Sequence, residues 1–233
     1  MNEINHLDHA AGLRSNNLNA EGLYVLVDGV DFAQNTRAPK LVALIQQLIA
    51  AKVNWIQLRD KTLNDRQLVH AGRLINKLTR ISETSFIMND RVDLAVASGA
   101  DGVHLGQEDL AVSDARLVLG HGKLIGVSTH SIAQAQSAVA SGADYIGVGP
   151  VFPSRTKSFD KQVGLELVRQ VAAEIQLPAF AIGGIDHNNV GQVVVAGLRR
   201  VAVGAAVCNS ESPGAAAERL ICILLSGRSV VEL

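Results

Sequence analysis

Eight short aliphatic runs, each followed by a longer segment with helical spacing, constrain the fold of this 233-residue chain more than any other feature. Near-continuous aliphatic strands that alternate with helices predict parallel strands covered by helices. The runs begin at about Gly22, Asn54, Ser85, Asp101, Lys123, Asp144, Ala179 and Arg200. The helix face between the first two runs is marked at i, i+3, i+4, i+7 and i+8 by Leu41, Leu44, Ile45, Leu48 and Ile49.

Eight consecutive units of this kind in about 200 residues favour a (β/α)8 barrel, or TIM barrel, over a six-strand open sheet with extra helices, which is the alternative. The predicted helix ends fit the same alternation of strands and helices: one helix is predicted to end near Gly120 and another to begin after Ser131. No linker-like composition interrupts residues 22–225. The prediction is one α/β catalytic domain over 21–233, preceded by an extension over 1–20.

Composition excludes several other classes of protein. The formal net charge is −1 and aromatic residues make up 3% of the chain, which disfavours a nucleic-acid partner. No apolar run reaches the roughly 18 residues of a membrane span, and the polar start does not resemble a secretory signal. Cys208 and Cys222 fit no zinc motif. We therefore expect a cytoplasmic protein without a membrane partner.

Two aspartates follow neighbouring predicted strands at the end where barrel enzymes hold their active sites. Asp90 follows the third strand and Asp109 closes the loop after the fourth. Adjacent parallel strands lie about 4.8 Å apart, so both carboxylates can reach one hard cation, and two carboxylates are a common Mg²⁺ donor set. The alternative is that each aspartate caps the helix that it precedes. Their shared position favours the metal site.

Cationic side chains follow the second and sixth strands. Gln57, Arg59 and Lys61 alternate with a period of two, so they point to the same side. Charges facing a barrel mouth are costly unless they meet an anion, although a solvated rim is the alternative interpretation. Lys157 adds another cation beside Ser154 and Thr156, in a loop that could equally be an exposed lid.

Glycines at the ends of the last two strands predict a phosphate site. Ile182-Gly-Gly-Ile185 and Val203-Gly-Ala-Ala206 lie where TIM barrels commonly bind phosphate through backbone N–H groups. The histidines His104, His121 and His130 have no clear catalytic partner, and His104 is interpreted as structural. A cationic metal site without covalent chemistry suits the release of a pyrophosphate leaving group.

These residues belong to stretches that resemble the thiamine-phosphate synthase family in order and spacing. The matching stretches are QLRDK (57–61), MND (88–90), GVHLGQEDL (102–110), GVSTH (126–130), GPVFPSRTK (149–157) and AIGGI (181–185). The combination of QLRDK and GVHLGQEDL is specific, whereas AIGGI occurs in many phosphate-binding barrels.

The resemblance implies a transferase of thiamine biosynthesis that uses Mg²⁺. Its substrates would be 4-amino-2-methyl-5-(diphosphooxymethyl)pyrimidine and 4-methyl-5-(2-phosphoethyl)thiazole or its 2-carboxy form. The products would be thiamine phosphate and pyrophosphate. Pyrophosphate would leave first, and the thiazole nitrogen would capture the resulting pyrimidine cation.

The resemblance also assigns site residues. It gives Asp90 and Asp109 as the metal ligands. The implied catalytic residues are Arg59, Lys61, Ser128 and Lys157. The implied substrate contacts are Gln57, Leu58, Arg59, Asp60, Lys61, Asn89, Ser128, Ser154, Arg155, Thr156, Lys157, Gly184, Gly204 and Ala205.

Two positions depart from the family pattern. Ala205 replaces the usual serine or threonine, which removes one hydroxyl, and Ser154 replaces a threonine. Two alternatives stay open: a thiazole tautomerase on the same barrel, and a catalytically silent barrel that binds thiamine intermediates. Whether the chain forms a homo-oligomer is also left open.

Overall fold

The protein forms a closed barrel of eight parallel strands in a computed structural model that describes residues 21–27, 38–153 and 163–226. Each strand pairs with the next along the chain, and the first pairs with the last. The predicted (β/α)8 architecture is therefore confirmed. The strands are β1 (Gly22–Val27), β2 (Trp55–Leu58), β3 (Ser85–Asn89), β4 (Gly102–Leu105), β5 (Leu124–Thr129), β6 (Tyr145–Val148), β7 (Ala179–Ile182) and β8 (Arg200–Val203).

Helices follow the strands and cover the outside of the barrel. Ser131 caps the helix after β5 as predicted, because its hydroxyl accepts a hydrogen bond from the Gln134 backbone at 3.2 Å. Gly120 is the C-cap predicted for the helix after β4. The described helices are α1 (Ala38–Ala50), α2 (Asp65–Thr79), α3 (Val92–Ser98), α4 (Val112–Leu119), α5 (Ile132–Ala140), α6 (Gly164–Glu174), α7 (Val190–Val195), α8 (Ala205–Cys208) and α9 (Pro213–Ser226).

The outward faces of the strands pack on the helices in a mostly aliphatic cluster, which we call the outer shell. Its buried members include Ile45 and Leu48 of α1, and Ile56 and Leu58 of β2. Successive strand residues point to opposite faces, so alternate residues of each strand enter this shell. Burial of this aliphatic area is the main force that holds the helices on the barrel.

The inward faces form a second buried cluster of Tyr24, Trp55, Ile87, Tyr145, Phe180 and Ala202, which we call the interior cluster. It contains both tyrosines and the one tryptophan of the chain. The rings meet edge to face, with centroids 4.7 Å apart for Trp55 and Tyr145 and 5.7 Å apart for Tyr145 and Phe180. Gly126 makes room for this packing, since a Cβ there would lie 2.0 Å from the Tyr145 ring.

Several sequence predictions lie outside the described residues. The extension assigned to residues 1–20 is one of them, and so are Ser154, Arg155, Thr156 and Lys157. In the parts of the chain that the structure describes, no helix has both the length and the apolar character to cross a membrane.

Candidate active site

A cavity of about 70 Å³ lies above the interior cluster, on the side where the strands end. Four residues predicted from the sequence line it: Gln57, Arg59, Asn89 and Ser128. Its full lining is Tyr24, Leu26, Gln57, Arg59, Asn89, His104, Ser128, Tyr145, Gly147, Phe180, Ile182 and Ala202. The floor is therefore aromatic, whereas the rim carries amide, hydroxyl, imidazole and guanidinium groups.

The end of β2 divides its side chains between the cavity and the outer shell. Gln57 is buried and its Nε2 donates to the Tyr24 hydroxyl at 2.6 Å. Arg59 is in phase with Gln57, as the period of two predicts, and also lines the cavity. Leu58 has the opposite phase from Gln57, so its side chain lies in the outer shell, and its assignment as a substrate contact stays a prediction.

Asp60 shapes the turn that follows β2. Its Oδ1 accepts hydrogen bonds from the Thr62 backbone at 2.7 Å, the Thr62 hydroxyl at 2.7 Å and the Leu63 backbone at 3.1 Å. This is the local capping of a turn by an aspartate. Lys61 is exposed and its charge acts on Asp90. The turn thus places one cation, Lys61, beside the acidic pair.

Asp90 and Asp109 are close enough for Asp109 to affect the ionisation of Asp90. The pKa of Asp90 is raised from its ordinary value, mainly by burial and then by the charge and hydrogen bonding of Asp109. The charges of Lys61 and Arg59 act in the opposite direction on the pKa. The two carboxylates therefore meet at the mouth, next to two cations.

Neither aspartate caps a helix, so the alternative interpretation from the sequence is wrong. The N-cap of α3 is Arg91 and the N-cap of α4 is Ala111. Asp109 instead accepts a hydrogen bond from the Gly106 backbone at 2.6 Å, which closes its own loop. Asp90 has a φ of 59°, an unusual left-handed conformation for a residue other than glycine.

The strained turn at Asp90 is held on both sides. The Asp90 backbone N–H donates to the His104 carbonyl at 2.8 Å, which joins the turn to β4. Arg91 forms a two-pronged pair with Asp65 of α2 at 2.8 and 3.1 Å, and a second pair with Asp93 at 2.9 and 2.6 Å. Such fork geometry fixes direction as well as distance. A strained backbone conformation of this kind persists only where surrounding contacts hold it in place.

The acidic pair fits a magnesium ion. Mg²⁺ is usually held in proteins by one or two carboxylates, with water and substrate oxygens completing its coordination. In residues 21–27, 38–153 and 163–226, no group of three or more His, Cys, Asp or Glu side chains could hold a metal. Asp90 and Asp109 are two carboxylates of the kind that this donor set contains.

Ser128 is held by two neighbouring residues of β4 and the loop after it. His104 Nε2 lies 2.9 Å from the Ser128 hydroxyl, and Gln107 donates to the Ser128 carbonyl at 2.6 Å. The other ring nitrogen, His104 Nδ1, lies 3.2 Å from the Tyr145 hydroxyl. His104 is thus a site residue that sequence reasoning treated as structural and without a partner.

Tyr24 and Tyr145 are two further cavity residues that the sequence analysis did not single out. Alternation along the strands could have indicated them, because Tyr24 is in phase with Leu26 and Tyr145 is in phase with Gly147, and all four line the cavity. The pKa of each phenol is raised by burial, so both are protonated in the folded protein at neutral pH.

The glycines after β7 are required by the backbone. Gly183 and Gly184 have φ values of 100° and 63°. A Cβ on Gly184 would also lie 2.3 Å from the Pro153 carbonyl oxygen, so no larger residue fits. After β8, Gly204 is the N-cap of α8, which begins at Ala205. The predicted phosphate contacts Gly184, Gly204 and Ala205 therefore follow the two strands that supply Ile182 and Ala202 to the cavity.

Known proteins resemble this chain in sequence and structure. The family model described as thiamine monophosphate synthase matches residues 23–207. The thiamine-phosphate synthase of Gloeobacter violaceus is 47% identical over 176 residues, which cover 76% of this chain and 52% of that protein. The thiamine-phosphate synthase of Halalkalibacterium halodurans is 42% identical over 172 residues, which cover 73% of this chain and 82% of that protein. The chain spans about half the length of the first curated relatives it matches.

Solved structures agree with these matches. Thiamine phosphate pyrophosphorylase from Pyrococcus furiosus superposes with a TM-score of 0.78 and 32% identity, covering 90% of this chain and 96% of that chain. The 3-hexulose-6-phosphate synthase of Salmonella typhimurium has a TM-score of 0.69 at 17% identity, covering 88% and 99%, and shows the shared fold alone. The family match spans every strand of the barrel except the first residue of β1. With the acidic pair and the lined cavity in place, these matches establish that this chain belongs to the thiamine monophosphate synthase family.

Proposed function

We propose that this chain is a thiamine-phosphate synthase. It would join 4-amino-2-methyl-5-(diphosphooxymethyl)pyrimidine to 4-methyl-5-(2-phosphoethyl)thiazole, or to its 2-carboxy form with loss of CO2, and release pyrophosphate. The observation that carries the proposal is the meeting of Asp90 and Asp109 with the charges of Lys61 and Arg59, of which Arg59 lines the cavity. An anionic leaving group needs such a concentration of cation-binding and cationic groups.

The site residues fall into three groups with different proposed roles. Asp90 and Asp109 would hold Mg²⁺, which when bound supplies electrostatic stabilisation to the departing diphosphate. Arg59 and Lys61 hold the same diphosphate from the end of β2. Gln57, Asn89 and Ser128 line the cavity and orient the pyrimidine ring.

The reaction then needs little proton transfer. The bond between the pyrimidine methylene carbon and the diphosphate oxygen breaks, and its electron pair leaves with pyrophosphate. The thiazole nitrogen supplies the pair for the new carbon–nitrogen bond. The aromatic floor of Tyr24, Tyr145 and Phe180 keeps water away from the cationic carbon, which limits hydrolysis.

The thiazole phosphate is assigned to the glycine-walled side of the mouth. The position of Gly184 has no room for a side chain, and Gly204 leads directly into α8. Because Ala205 has no hydroxyl, phosphate binding there rests on backbone N–H groups. Ser154, Arg155, Thr156 and Lys157 enter the proposal through the family resemblance alone. A cytoplasmic location stays a prediction of the sequence.

A direct test mixes the purified chain with both substrates and Mg²⁺ and measures thiamine phosphate and pyrophosphate together. The proposal expects the two products in equal amounts. A thiazole tautomerase would change only the thiazole, and a binding protein would release neither product.

Matched variants then test the acidic pair. Asp90→Asn and Asp109→Asn should each lower kcat/KM about 100-fold or more, because each removes a charge from the metal site. Asp114→Asn is the control, since Asp114 is an exposed aspartate in the first turn of α4 and is not a member of the acidic pair. Turnover at the unsubstituted rate in either site variant would contradict the metal assignment.

A further inference from the structure

Five side chains form a continuous hydrogen-bonded series inside the barrel, which we call the interior relay. In order they are Gln57, Tyr24, Tyr145, His104 and Ser128. They come from five different strands, and both ends of the series line the cavity. In such a series, the direction of each hydrogen bond determines whether the groups at the two ends can donate or accept.

The first bond fixes the direction of the second. Gln57 Nε2 donates to the Tyr24 hydroxyl at 2.6 Å, so Tyr24 is an acceptor in this bond. A phenol has one hydrogen to give. Within the described residues, the acceptor in reach of Tyr24 is the Tyr145 hydroxyl, at 3.2 Å. The opposite direction would leave the Tyr24 hydrogen buried without an acceptor, which costs about 1–3 kcal/mol.

The same count of donor hydrogens and acceptors applies to Tyr145 and then to the imidazole of His104. Tyr145 accepts from Tyr24, so its own hydrogen goes to His104 Nδ1, which lies 3.2 Å away. A neutral imidazole that accepts at Nδ1 carries its hydrogen on Nε2. That hydrogen is directed at the Ser128 hydroxyl oxygen, 2.9 Å away. The hydroxyl hydrogen of Ser128 is therefore not used by His104.

The packing around the imidazole holds this arrangement. His104 is 8% exposed. A Cβ at Gly147 would lie 3.2 Å from His104 Cε1. Because Gly147 has no side chain, the ring of His104 fits closely against β6. Burial raises the pKa of both phenols, which keeps their hydrogens available to the series.

We propose that His104 is a positioning residue, held by Tyr145 as the Nε2–H tautomer, that makes Ser128 a hydrogen-bond donor toward the cavity. The proposal rests on the proposed function only for the identity of the substrate. It specifies the chemistry of the atom that Ser128 meets: an acceptor such as a ring nitrogen or a diphosphate oxygen, and not an amino group.

The tautomer can be measured without any activity. The test uses the full chain with ¹⁵N-labelled histidine and records long-range ¹H–¹⁵N spectra, which distinguish Nδ1–H from Nε2–H. The chain has seven histidines, so a His104→Gln variant identifies the signals of His104. We expect the Nε2–H tautomer in the unsubstituted protein. An Nδ1–H tautomer or an imidazolium would overturn the proposal.

Two matched tyrosine variants test the direction of the relay. Tyr145→Phe removes the donor to His104 Nδ1 and keeps the aromatic packing, so His104 should lose its single Nε2–H form. Tyr24→Phe is the control, because Tyr145 keeps its hydrogen for His104 and the tautomer should stay unchanged. Identical His104 signals in Tyr145→Phe and the unsubstituted protein would contradict the proposed relay.

A double-mutant cycle links the relay to Ser128. Tyr145→Phe should lower kcat/KM about 3- to 10-fold, the value of one hydrogen bond. In a Ser128→Ala background the same substitution should have no further effect, since the relay acts through Ser128. Independent, multiplying effects would indicate a merely structural role and overturn the proposal. If the chain forms no thiamine phosphate at all, the spectra still decide the tautomer, so the two proposals fail separately.

Discussion

The outer shell and the interior cluster are both buried, but they are built from different residues. The outer shell is mostly aliphatic and its side chains meet through non-directional contacts. The interior cluster is aromatic, and its two phenols are hydrogen-bonded to each other and to Gln57 and His104. Burial in the outer shell therefore supports the barrel in general, whereas burial in the interior also fixes the geometry of the cavity above it.

The largest expected difference between the two regions is the loss of unfolding free energy from the interior cluster at alkaline pH. Both tyrosines of the chain lie in the interior cluster, and burial raises the pKa of each. Their contribution to the free energy of unfolding is fully present below the unfolded pKa of about 10 and is lost as pH rises above it. Each phenol costs about 1.4 kcal/mol per pH unit over that window, until its raised folded pKa is reached.

The measurement follows tyrosinate absorbance and circular dichroism in the same alkaline titration. Tyrosinate should appear only together with loss of secondary structure, because the folded interior keeps both phenols neutral. Tyrosinate formation near pH 10 in a protein that keeps its native spectrum would show that the interior cluster is open to water.

Trp55→Ala is expected to have the next largest effect. Trp55 is fully buried in the interior cluster, and its removal should lower the free energy of unfolding by about 4 kcal/mol. It should also raise KM for the proposed pyrimidine substrate, because the floor of the cavity collapses or fills with water. Urea unfolding followed by circular dichroism gives the first value and steady-state kinetics give the second.

Leu48→Ala in the outer shell is the matched comparison. Leu48 is also fully buried, and its truncation should cost about 3 kcal/mol. KM should stay unchanged, because α1 contributes no side chain to the cavity. Equal changes of KM in Trp55→Ala and Leu48→Ala would mean that the two regions are not functionally distinct.

The smallest expected effects come from a pair of glycines. Gly126→Ala would place a Cβ 2.0 Å from the Tyr145 ring, so the free energy of unfolding should fall by about 1–3 kcal/mol through overpacking. Gly191→Ala in α7 adds a Cβ with no atom within 4 Å and should stabilise by roughly 0.5 kcal/mol. Thermal unfolding of both variants measures the two signs, and a stable Gly126→Ala protein would contradict the close packing of the interior.

Much of the site follows from local sequence pattern. The inward direction of Gln57 and Arg59 was predictable because alternation along a strand is a local property. The meeting of Asp90 and Asp109 was predictable from the adjacency of their strands. The outward position of the Leu58 side chain also follows from alternation, since Leu58 has the opposite phase from Gln57 and Arg59.

The relay was not predictable in the same way. His104 aligns with Gly126 in the register of β4 and β5, so Ser128 lies two residues further along its strand. Their contact depends on that register, and on the space left by Gly147. The left-handed φ of Asp90 is another feature that no local pattern indicated.

The number, order and direction of the strands, and the side chains at their carboxyl ends, are local properties of the chain, because they depend on periodicity and on short spacings. Which inward side chains touch depends on the closed barrel. Tyr24 and Tyr145 are 121 residues apart and meet across the barrel. Closure of the sheet creates that contact, and periodicity along a chain does not encode distances across the space that the chain encloses.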